Sequence, residues 1–332
     1  MTIGDASTAV STLRGMPYIL SVAFSPNSKF FAVGSKDSFR LYKVEGNGQL
    51  RLTQTLGEKL GFGQLVVFSR DGRLLASSSP KTIYIWQADK QGQFTVSQKL
   101  DTRVVAVSSI VFSPDGRYLA SASSAGEVKL WQAGKDGKFR AAQPVDDRCS
   151  YRSAIAFSPD GQWFAFGADQ GGIRLWQRDY ASNFHFRRRL QFNDRPLSLV
   201  FSPNSQLLAS GSLNEIVLWR FDEHENLQLV QRLVGIHEGW IDSLVFSPGG
   251  GRLASACSRK SIIWERSEDG EFRQIWEFQS PNRDIPNLAF SPNGKWYALG
   301  TGDIVFIWEG DSRDRPLAQR IAGHVRRLVK QQ

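Results

Sequence analysis

Residues 112–131 carry the pattern that decides the fold, and they read Phe-Ser-Pro-Asp-Gly-Arg-Tyr-Leu-Ala-Ser-Ala-Ser-Ser-Ala-Gly-Glu-Val-Lys-Leu-Trp. Pro114-Asp115-Gly116 is a turn signal, because proline presets φ and glycine accepts a positive φ. The apolar run before this turn and Tyr118–Ala122 after it are typical of short strands. Glu127–Trp131 alternates charged and apolar residues, which is the period of a third strand. Lys135-Asp136-Gly137-Lys138 is a second hairpin signal, and it leads into a fourth strand.

The same pattern recurs along the chain at nearly constant spacing. Seven phenylalanines lie 44 or 45 residues apart, at Phe24, Phe68, Phe112, Phe157, Phe201, Phe246 and Phe290. Each is followed 18 or 19 residues later by an aromatic residue, at Tyr42, Trp86, Trp131, Trp176, Trp219, Trp264 and Trp308. Repeated four-stranded sheets bury both faces when they stack around a channel. The sequence therefore predicts an all-β protein, a seven-bladed β-propeller of four-stranded antiparallel blades.

The phrase Phe-Ser-Pro-Asp-Gly-Arg, followed by Leu-Ala-Ser and later by aliphatic-x-Leu-Trp, resembles the WD40 repeat. The resemblance covers nearly the whole chain. It implies one propeller domain over residues 1–332, with residues 324–332 as a candidate basic C-terminal tail. Propellers of this family usually bind other proteins, so we expect a scaffold or sensor module.

The repeats also depart from the family pattern, since no tryptophan is followed by the aspartate that gives the repeat its name. In the family, a His, a Ser or Thr, an Asp and the Trp form a buried hydrogen-bonded set in each blade. Only the sixth repeat keeps His237, Ser255 and Trp264, and Arg259 or Lys260 stands near the place of the Asp. We therefore expect the blades to depend more on apolar packing than on these polar sets.

Two segments compete for the outer strand that closes the ring. Residues 316–323 match residues 227–235, with Gln231-Arg232-Leu233 echoed by Gln319-Arg320-Ile321. Residues 11–15, Ser-Thr-Leu-Arg-Gly, also have the pattern of such a strand. In the resembling family the N-terminal strand often completes the last blade, but the residues alone leave both options open.

Composition and motifs favour a non-catalytic cytoplasmic protein. The sequence has only two cysteines, Cys149 and Cys257, which is not a disulfide framework and suits a reducing compartment. No secretory signal and no apolar stretch of membrane-spanning length is evident. The four histidines fall in unrelated segments, and no nucleophile elbow, Walker loop or dinucleotide fingerprint is present. We expect no enzymatic activity, no cofactor, no metal site and no small-molecule substrate.

A partner-binding face is predicted where each outer strand passes to the next innermost strand, which is where partners usually dock in the resembling family. Positions six residues before the repeat phenylalanines lie on this rim, and they are rich in aromatic residues and include an arginine, the residue types that dominate binding hot spots. With charged neighbours added, the predicted face consists of Tyr18, Phe62, Tyr151, Arg152, Arg195, Trp240, Asp242 and Asp284. A protein or peptide partner, within a larger complex, is the expected ligand.

The alternative is binding to nucleic acid or another anionic surface. The chain has a formal net charge of +9, and basic residues concentrate near its C-terminal end. Candidate anion-binding residues there are Arg320, Arg326, Arg327 and Lys330. Such contacts lose affinity steeply with salt, whereas aromatic anchoring is weakly screened, so salt dependence separates the two hypotheses.

Overall fold

The computed structural model describes residues 2–4, 9–57, 65–104, 106–142, 145, 154–168, 171–191, 194–280 and 287–310, with the backbone alone for 2–4. Strands and their connections make up this part of the chain, and no helix occurs within these ranges. Consequently no helix among the described residues is long and apolar enough to cross a membrane.

The first three blades are four-stranded antiparallel meanders, as the repeat predicts. In each of them the innermost strand ends at the repeat phenylalanine. The first blade contains β3 (Ile19–Phe24), β4 (Phe30–Ser35), β5 (Phe39–Val44) and β6 (Leu50–Leu56). The second contains β7 (Val66–Phe68), β8 (Leu74–Ser78), β9 (Thr82–Ala88) and β10 (Phe94–Asp101), and the third contains β11 (Val107–Phe112), β12 (Tyr118–Ser123), β13 (Val128–Ala133) and β14 (Phe139–Ala141).

The remaining blades continue the same order. The fourth contains β15 (Ile155–Phe157), β16 (Trp163–Gly167), β17 (Ile173–Arg178) and β18 (Phe184–Leu190). The fifth contains β19 (Ser198–Phe201), β20 (Leu207–Gly211), β21 (Glu215–Phe221) and β22 (Leu227–Val234). The sixth contains β23 (Ser243–Phe246), β24 (Arg252–Ala256), β25 (Lys260–Arg266) and β26 (Phe272–Gln279), and the seventh contains β27 (Asn287–Phe290), β28 (Trp296–Thr301) and β29 (Ile304–Glu309). The predicted seven-bladed propeller is thereby confirmed.

The N-terminal strand completes the seventh blade and settles the closure that the sequence left open. β2 (Ser11–Leu13) runs antiparallel to β29, with Ser11 opposite Ile307 and Leu13 opposite Val305. Before it, β1 (Thr2–Gly4) adds in parallel to the outer edge of β26 as a fifth strand of the sixth blade. β1 and β2 therefore lie on the outer edges of the sixth and seventh blades, respectively.

The Ser-Pro-Asp-Gly phrase forms a side-chain-locked turn between the first two strands of a blade. Ser113 Oγ donates to Asp115 Oδ1 at 2.6 Å and accepts the Tyr118 N–H at 2.8 Å. Serine and an Asp or Asn two residues later make the same contact at Ser25 and Asn27, Ser69 and Asp71, Ser158 and Asp160, Ser202 and Asn204, and Ser291 and Asn293. This bond satisfies a buried hydroxyl and fixes the hairpin, which explains why the phrase recurs.

The cores lie between blades, and the repeat tryptophans take part in them. Trp264 is buried and donates its indole N–H to Ser255 Oγ at 2.8 Å. Equivalent tryptophan–serine bonds join Trp86 to Ser77, Trp131 to Ser121 and Trp219 to Ser210. Apolar residues stand at the serine position in the fourth and seventh blades, as Phe166 and Leu299. Three blades besides the sixth therefore keep the tryptophan–serine bond of the family's polar set, which is more than the sequence predicted.

Glutamines on outer strands join neighbouring blades. Gln98 Nε2 donates to Phe139 O at 2.7 Å, and Gln98 Oε1 accepts the Phe139 N–H at 2.8 Å. The pairs Gln54–Phe94 and Gln231–Phe272 repeat this two-bond contact between one outer strand and the first residue of the next. Each contact satisfies both backbone groups of one phenylalanine, so it locks the spacing of two blades.

Candidate functional site

We define the upper face as the side of the disc that carries the connections between blades and the turns between the second and third strands of each blade. Four residues of the predicted partner-binding face are described, and all four lie on this side: Tyr18, Arg195, Trp240 and Asp242. The other four, Phe62, Tyr151, Arg152 and Asp284, lie outside the described residues, as do Arg320, Arg326, Arg327 and Lys330.

Tyr18 projects from the boundary between the seventh and first blades. Its side chain is 60% exposed, and the Lys36 ammonium lies 5.5 Å from the ring centroid. The Lys36 N–H donates to Pro17 O, which ties the turn between β4 and β5 to the segment that carries Tyr18. Tyr18 has a φ of 51°, which is uncommon for a residue of this size. Tyr18 therefore presents an exposed aromatic ring beside a cation, on backbone of uncommon conformation.

Trp240 lies at the boundary between the fifth and sixth blades and touches an apolar residue that the sequence did not single out. It is 40% exposed, and its backbone forms an isolated antiparallel bridge with Leu213, which is itself 49% exposed. The Leu213 N–H donates to Asp194 Oδ2 at 3.4 Å, and exposed Arg195 follows Asp194. The structure thus brings two predicted residues, Arg195 and Trp240, into one neighbourhood through Leu213.

Val234 is a further exposed apolar residue near this area, at the end of β22. Its side chain is 59% exposed, and the next residue, Gly235, donates its N–H to Asn214 O beside Leu213. We call the group of Leu213, Val234 and Trp240 the Trp240 patch. An apolar residue in the turn between β20 and β21 is the signal by which Leu213 was recognisable from the sequence.

Charged side chains of both signs surround the Trp240 patch. Arg259 Nη1 lies 3.2 Å from Glu238 Oε2, and Arg232 Nη1 lies 2.5 Å from Glu215 Oε1. Asp194 and Arg195 contribute one further charge of each sign. Three acids therefore balance three bases, so the rim of the patch carries no large net charge.

A buried histidine supports the segment that presents Trp240. His237 is 2% exposed, and its Nε2 lies 2.7 Å from Ser255 Oγ, the atom that also accepts from Trp264. Burial, together with the Lys260 charge, lowers the pKa of His237 from 6.5 to about 3, so the ring is neutral near pH 7. The sixth blade thus keeps the three-residue set predicted for it, and this set fixes the loop from Gly235 to Trp240.

Asp242 lies just inside the same segment and is half-buried. Its backbone N–H donates to Ala256 O at 3.0 Å, while the preceding Ile241 N–H donates to Ser212 O. The chain after Trp240 is therefore bonded to both neighbouring blades, and the tryptophan is presented from a rigid support.

A separate polar cavity of about 1020 Å³ opens on the opposite, lower face near the fourth blade. Two polar pairs lie in its lining: Arg178 Nη1 lies 2.7 Å from Asp115 Oδ2, and His185 Nε2 lies 2.7 Å from Asp179 Oδ2. A hydrogen bond from His185 holds the pKa of Asp179 below its usual range. The described residues contain no group of three or more His, Cys, Asp or Glu able to hold a metal.

The arginines of β18 do not form one anion site. Arg188 Nη1 donates to Asn226 Oδ1 on the next blade, whereas Arg189 Nη2 donates to Gly171 O on its own blade. Phe186 is half exposed beneath the Arg174 guanidinium, which lies 5.5 Å from the ring centroid. The strand is a charged edge, which discourages pairing with other sheets.

Comparison with known proteins supports the repeat reading. Residues 7–41, 64–87, 97–132, 150–177 and 188–220 match the family described as WD domain, G-beta repeat. Among solved structures, the β-propeller domain of Cps50 (Swd1) from Myceliophteria thermophila is similar, with a TM-score of 0.74 at 15% sequence identity. The alignment covers 91% of this chain and 99% of that chain, and it shows likeness of fold. No curated protein has a matching sequence.

Proposed function

Because the chain belongs to the WD40-repeat family of β-propellers, we propose that it is a non-catalytic scaffold or sensor module that binds a protein segment on its upper face. Family members generally act in this way. The partner segment contributes an apolar or aromatic anchor, which seats on the Trp240 patch.

The observation that carries the proposal is the composition of this patch. Leu213, Val234 and Trp240 leave apolar surface open to solvent on rigid backbone, within a rim of charged residues. Protein interfaces combine an apolar, aromatic-rich centre with a polar rim in the same way. Tryptophan is also among the residues that most often dominate binding energy.

The balance of charge around the patch favours a protein over an anionic polymer. Nucleic-acid interfaces are strongly basic because they neutralise phosphates. Here Asp194, Glu215 and Glu238 offset the neighbouring arginines. Tyr18, with Lys36 beside it, provides a second anchor point on the same face.

The test is capture of partners by the immobilised full-length protein from nuclease-treated lysate, followed by titration of the captured protein. Trp240→Ala should weaken binding by about 2 kcal/mol, or roughly 30-fold, as loss of a hot-spot tryptophan does. Tyr18→Ala and Arg195→Ala should weaken it less. The affinity should depend only weakly on salt.

Tyr180→Ala is the matched control, because Tyr180 is a fully exposed aromatic residue on the lower face. The control should bind as wild type does. A partner retained equally by Trp240→Ala and Tyr180→Ala would contradict the assignment of the face. A partner lost on nuclease treatment, with steep salt dependence, would instead support the anionic alternative.

We place this module in the cytoplasm. Cys257 is a buried free thiol, which suits a reducing compartment. Localisation of a tagged full-length chain by fractionation tests this assignment, and recovery in an oxidising compartment would overturn it.

A further inference from the structure

Each outer strand of the first six blades begins with a large apolar residue that packs into the core shared with the preceding blade. These residues are Leu50, Phe94, Phe139, Phe184, Leu227 and Phe272. In the fourth blade, the ring of Phe184 lies 5.6 Å from that of Phe157 and 6.0 Å from that of Phe164, measured between centroids. The space between two blades therefore accepts a phenylalanine or leucine side chain, which contacts the repeat phenylalanine.

The corresponding space between the sixth and seventh blades is open. A cavity of about 590 Å³ lies there on the lower face, beside the turn between β23 and β24. Phe290 and Tyr297 line it, with ring centroids 5.1 Å apart, and they occupy the positions of Phe157 and Phe164 in the fourth blade. Within the described part of the chain, no side chain takes the place of Phe184 in this cavity.

The backbone of the seventh blade marks the same place. In the third blade, Phe139 stands opposite Ala133, which is two residues after the repeat tryptophan, Trp131. Gly310 is two residues after Trp308, and it lines the cavity. We refer to this cavity as the Phe290 socket and define it by the lining residues Gly249, Gly251, Ile263, Phe290, Tyr297 and Gly310.

Glycines of the sixth blade leave the mouth of the socket uncovered. Gly249 and Gly251 occupy the positions of Asp115 and Arg117 in the third blade. In all six other blades, the first of these positions holds Asn or Asp and the second holds Lys, Arg or Gln. The sixth blade has neither side chain, so its turn does not shield the socket from solvent.

The charged residues of the lining leave a positive charge at the mouth. Arg252 Nη2 lies 3.0 Å from Glu265 Oε1, so these two charges pair. Arg266 also lines the cavity, and its Nε donates to Gly270 O at 3.2 Å. In the described ranges Arg266 makes no ion pair, and an acidic residue beside an inserted side chain would complement it.

We propose that the Phe290 socket is a second binding site, which takes a phenylalanine side chain from a partner protein that carries an acidic residue next to it. The inserted ring completes the core between the sixth and seventh blades, as Phe184 does between the third and fourth. The socket lies on the opposite face from the Trp240 patch, so the two sites bind independently.

A short peptide tests the socket in the full-length protein. The probe is acetyl-Asp-Gly-Glu-Phe-amide, which copies residues 269–272, with a para-fluoro label on the ring, and fluorine NMR follows its titration. Unlabelled peptides with Phe or with Ala at the last position then compete with the probe. The Phe peptide should compete roughly ten-fold or more better than the Ala peptide, because burial of a phenylalanine side chain contributes that much.

Variants at the mouth show where the peptide binds. Gly249→Phe should weaken binding roughly ten-fold or more, because its ring covers the apolar surface that the peptide buries. Gly46→Phe is the matched control and should bind as wild type does, since a Cβ at Gly46 or Gly249 meets nothing within 4 Å and Gly46 lies outside the socket. Gly251→Arg, which copies Arg117, is a second blocking variant, and thermal unfolding verifies that each variant folds.

The outcomes separate this site from the upper face. Trp240→Ala should bind the peptide as wild type does, and a loss in that variant would overturn the proposal by placing the peptide on the Trp240 patch. Absence of binding to wild type, equal competition by the Phe and Ala peptides, or equal losses in Gly249→Phe and Gly46→Phe would also overturn it.

Discussion

His237 and Trp240 are three residues apart, yet one is sealed beneath the surface and the other projects from it. His237 Nε2 lies 2.7 Å from Ser255 Oγ, and this contact holds the loop that carries the exposed Trp240 on the upper face. The polar set of the sixth blade therefore supports the loop of the proposed binding residue as well as the blade itself.

Replacing His237 should therefore affect both stability and the loop. His237→Ala removes a buried ring and the Ser255 contact, and we expect a loss of about 2–4 kcal/mol in the free energy of unfolding. Denaturant unfolding measures this loss, and hydrogen exchange at Ile241 reports the loop. His224 is exposed, so His224→Ala should change stability by less than about 0.5 kcal/mol. Equal effects of the two substitutions would contradict the structural role of His237.

The lowered pKa of His237 predicts acid sensitivity. The unfolded chain takes up a proton near the ordinary value of 6.5, whereas the folded protein does so only near about 3. Between these values the unfolded state binds more protons, so stability falls as the pH falls, by up to about 1.4 kcal/mol per pH unit from this group. His237→Gln keeps a hydrogen-bonding side chain that does not titrate. The stability gap between wild type and His237→Gln should shift in favour of the variant from pH 6.5 to pH 4, and a constant gap would refute the prediction.

The outer glutamines predict coupling between blades. Gln98→Ala leaves the N–H and C=O of Phe139 without their side-chain partner, and we expect a loss of about 1–3 kcal/mol. Gln91 is exposed in a turn of the same blade, so Gln91→Ala is the matched control and should be nearly neutral. Urea unfolding compares the two variants, and indistinguishable midpoints would show that the contact adds nothing.

Alanine substitutions at two glycines should distinguish the cost of backbone strain from the cost of a steric clash. Gly48 and Gly137 both adopt positive φ, at 87° and 73°. A Cβ at Gly48 would lie 2.6 Å from the Trp296 ring, whereas a Cβ at Gly137 would meet nothing within 4 Å. Gly137→Ala should cost about 1–2 kcal/mol from strain alone, and Gly48→Ala should cost clearly more. Thermal unfolding of both variants measures the difference, and equal costs would mean that the Trp296 ring moves aside freely.

The regular spacing of Phe-Ser-Pro made the architecture predictable, because it reflects a turn contact that six of the seven blades repeat. Ser113, Asp115 and Tyr118 form one turn, and the same residue types at the same spacing form it elsewhere. The ring closure was not predictable from pattern alone. Residues 11–15 and 316–323 both have the pattern of an outer strand, and the pairing of Ser11 with Ile307 shows that the N-terminal one lies on the seventh blade.

The candidate site was predictable in part. Counting back from the repeat phenylalanine located Tyr18, Arg195 and Trp240 on one face, because every blade enters its innermost strand there. Leu213 and Val234 escaped this counting rule, because they lie in the turn between β20 and β21 and at the end of β22 rather than six residues before a repeat phenylalanine.

The pairing of Ser11 with Ile307 has a consequence for synthesis on the ribosome. Ile307 is translated almost three hundred residues after its partner Ser11. The ring therefore cannot close until the seventh blade has left the ribosomal exit tunnel. Cutting the gene at a connection between two other blades and fusing the original ends would let that seam form co-translationally. In such a circular permutant, a different boundary between blades would close last. The order of translation would then change while the finished ring kept the same geometry.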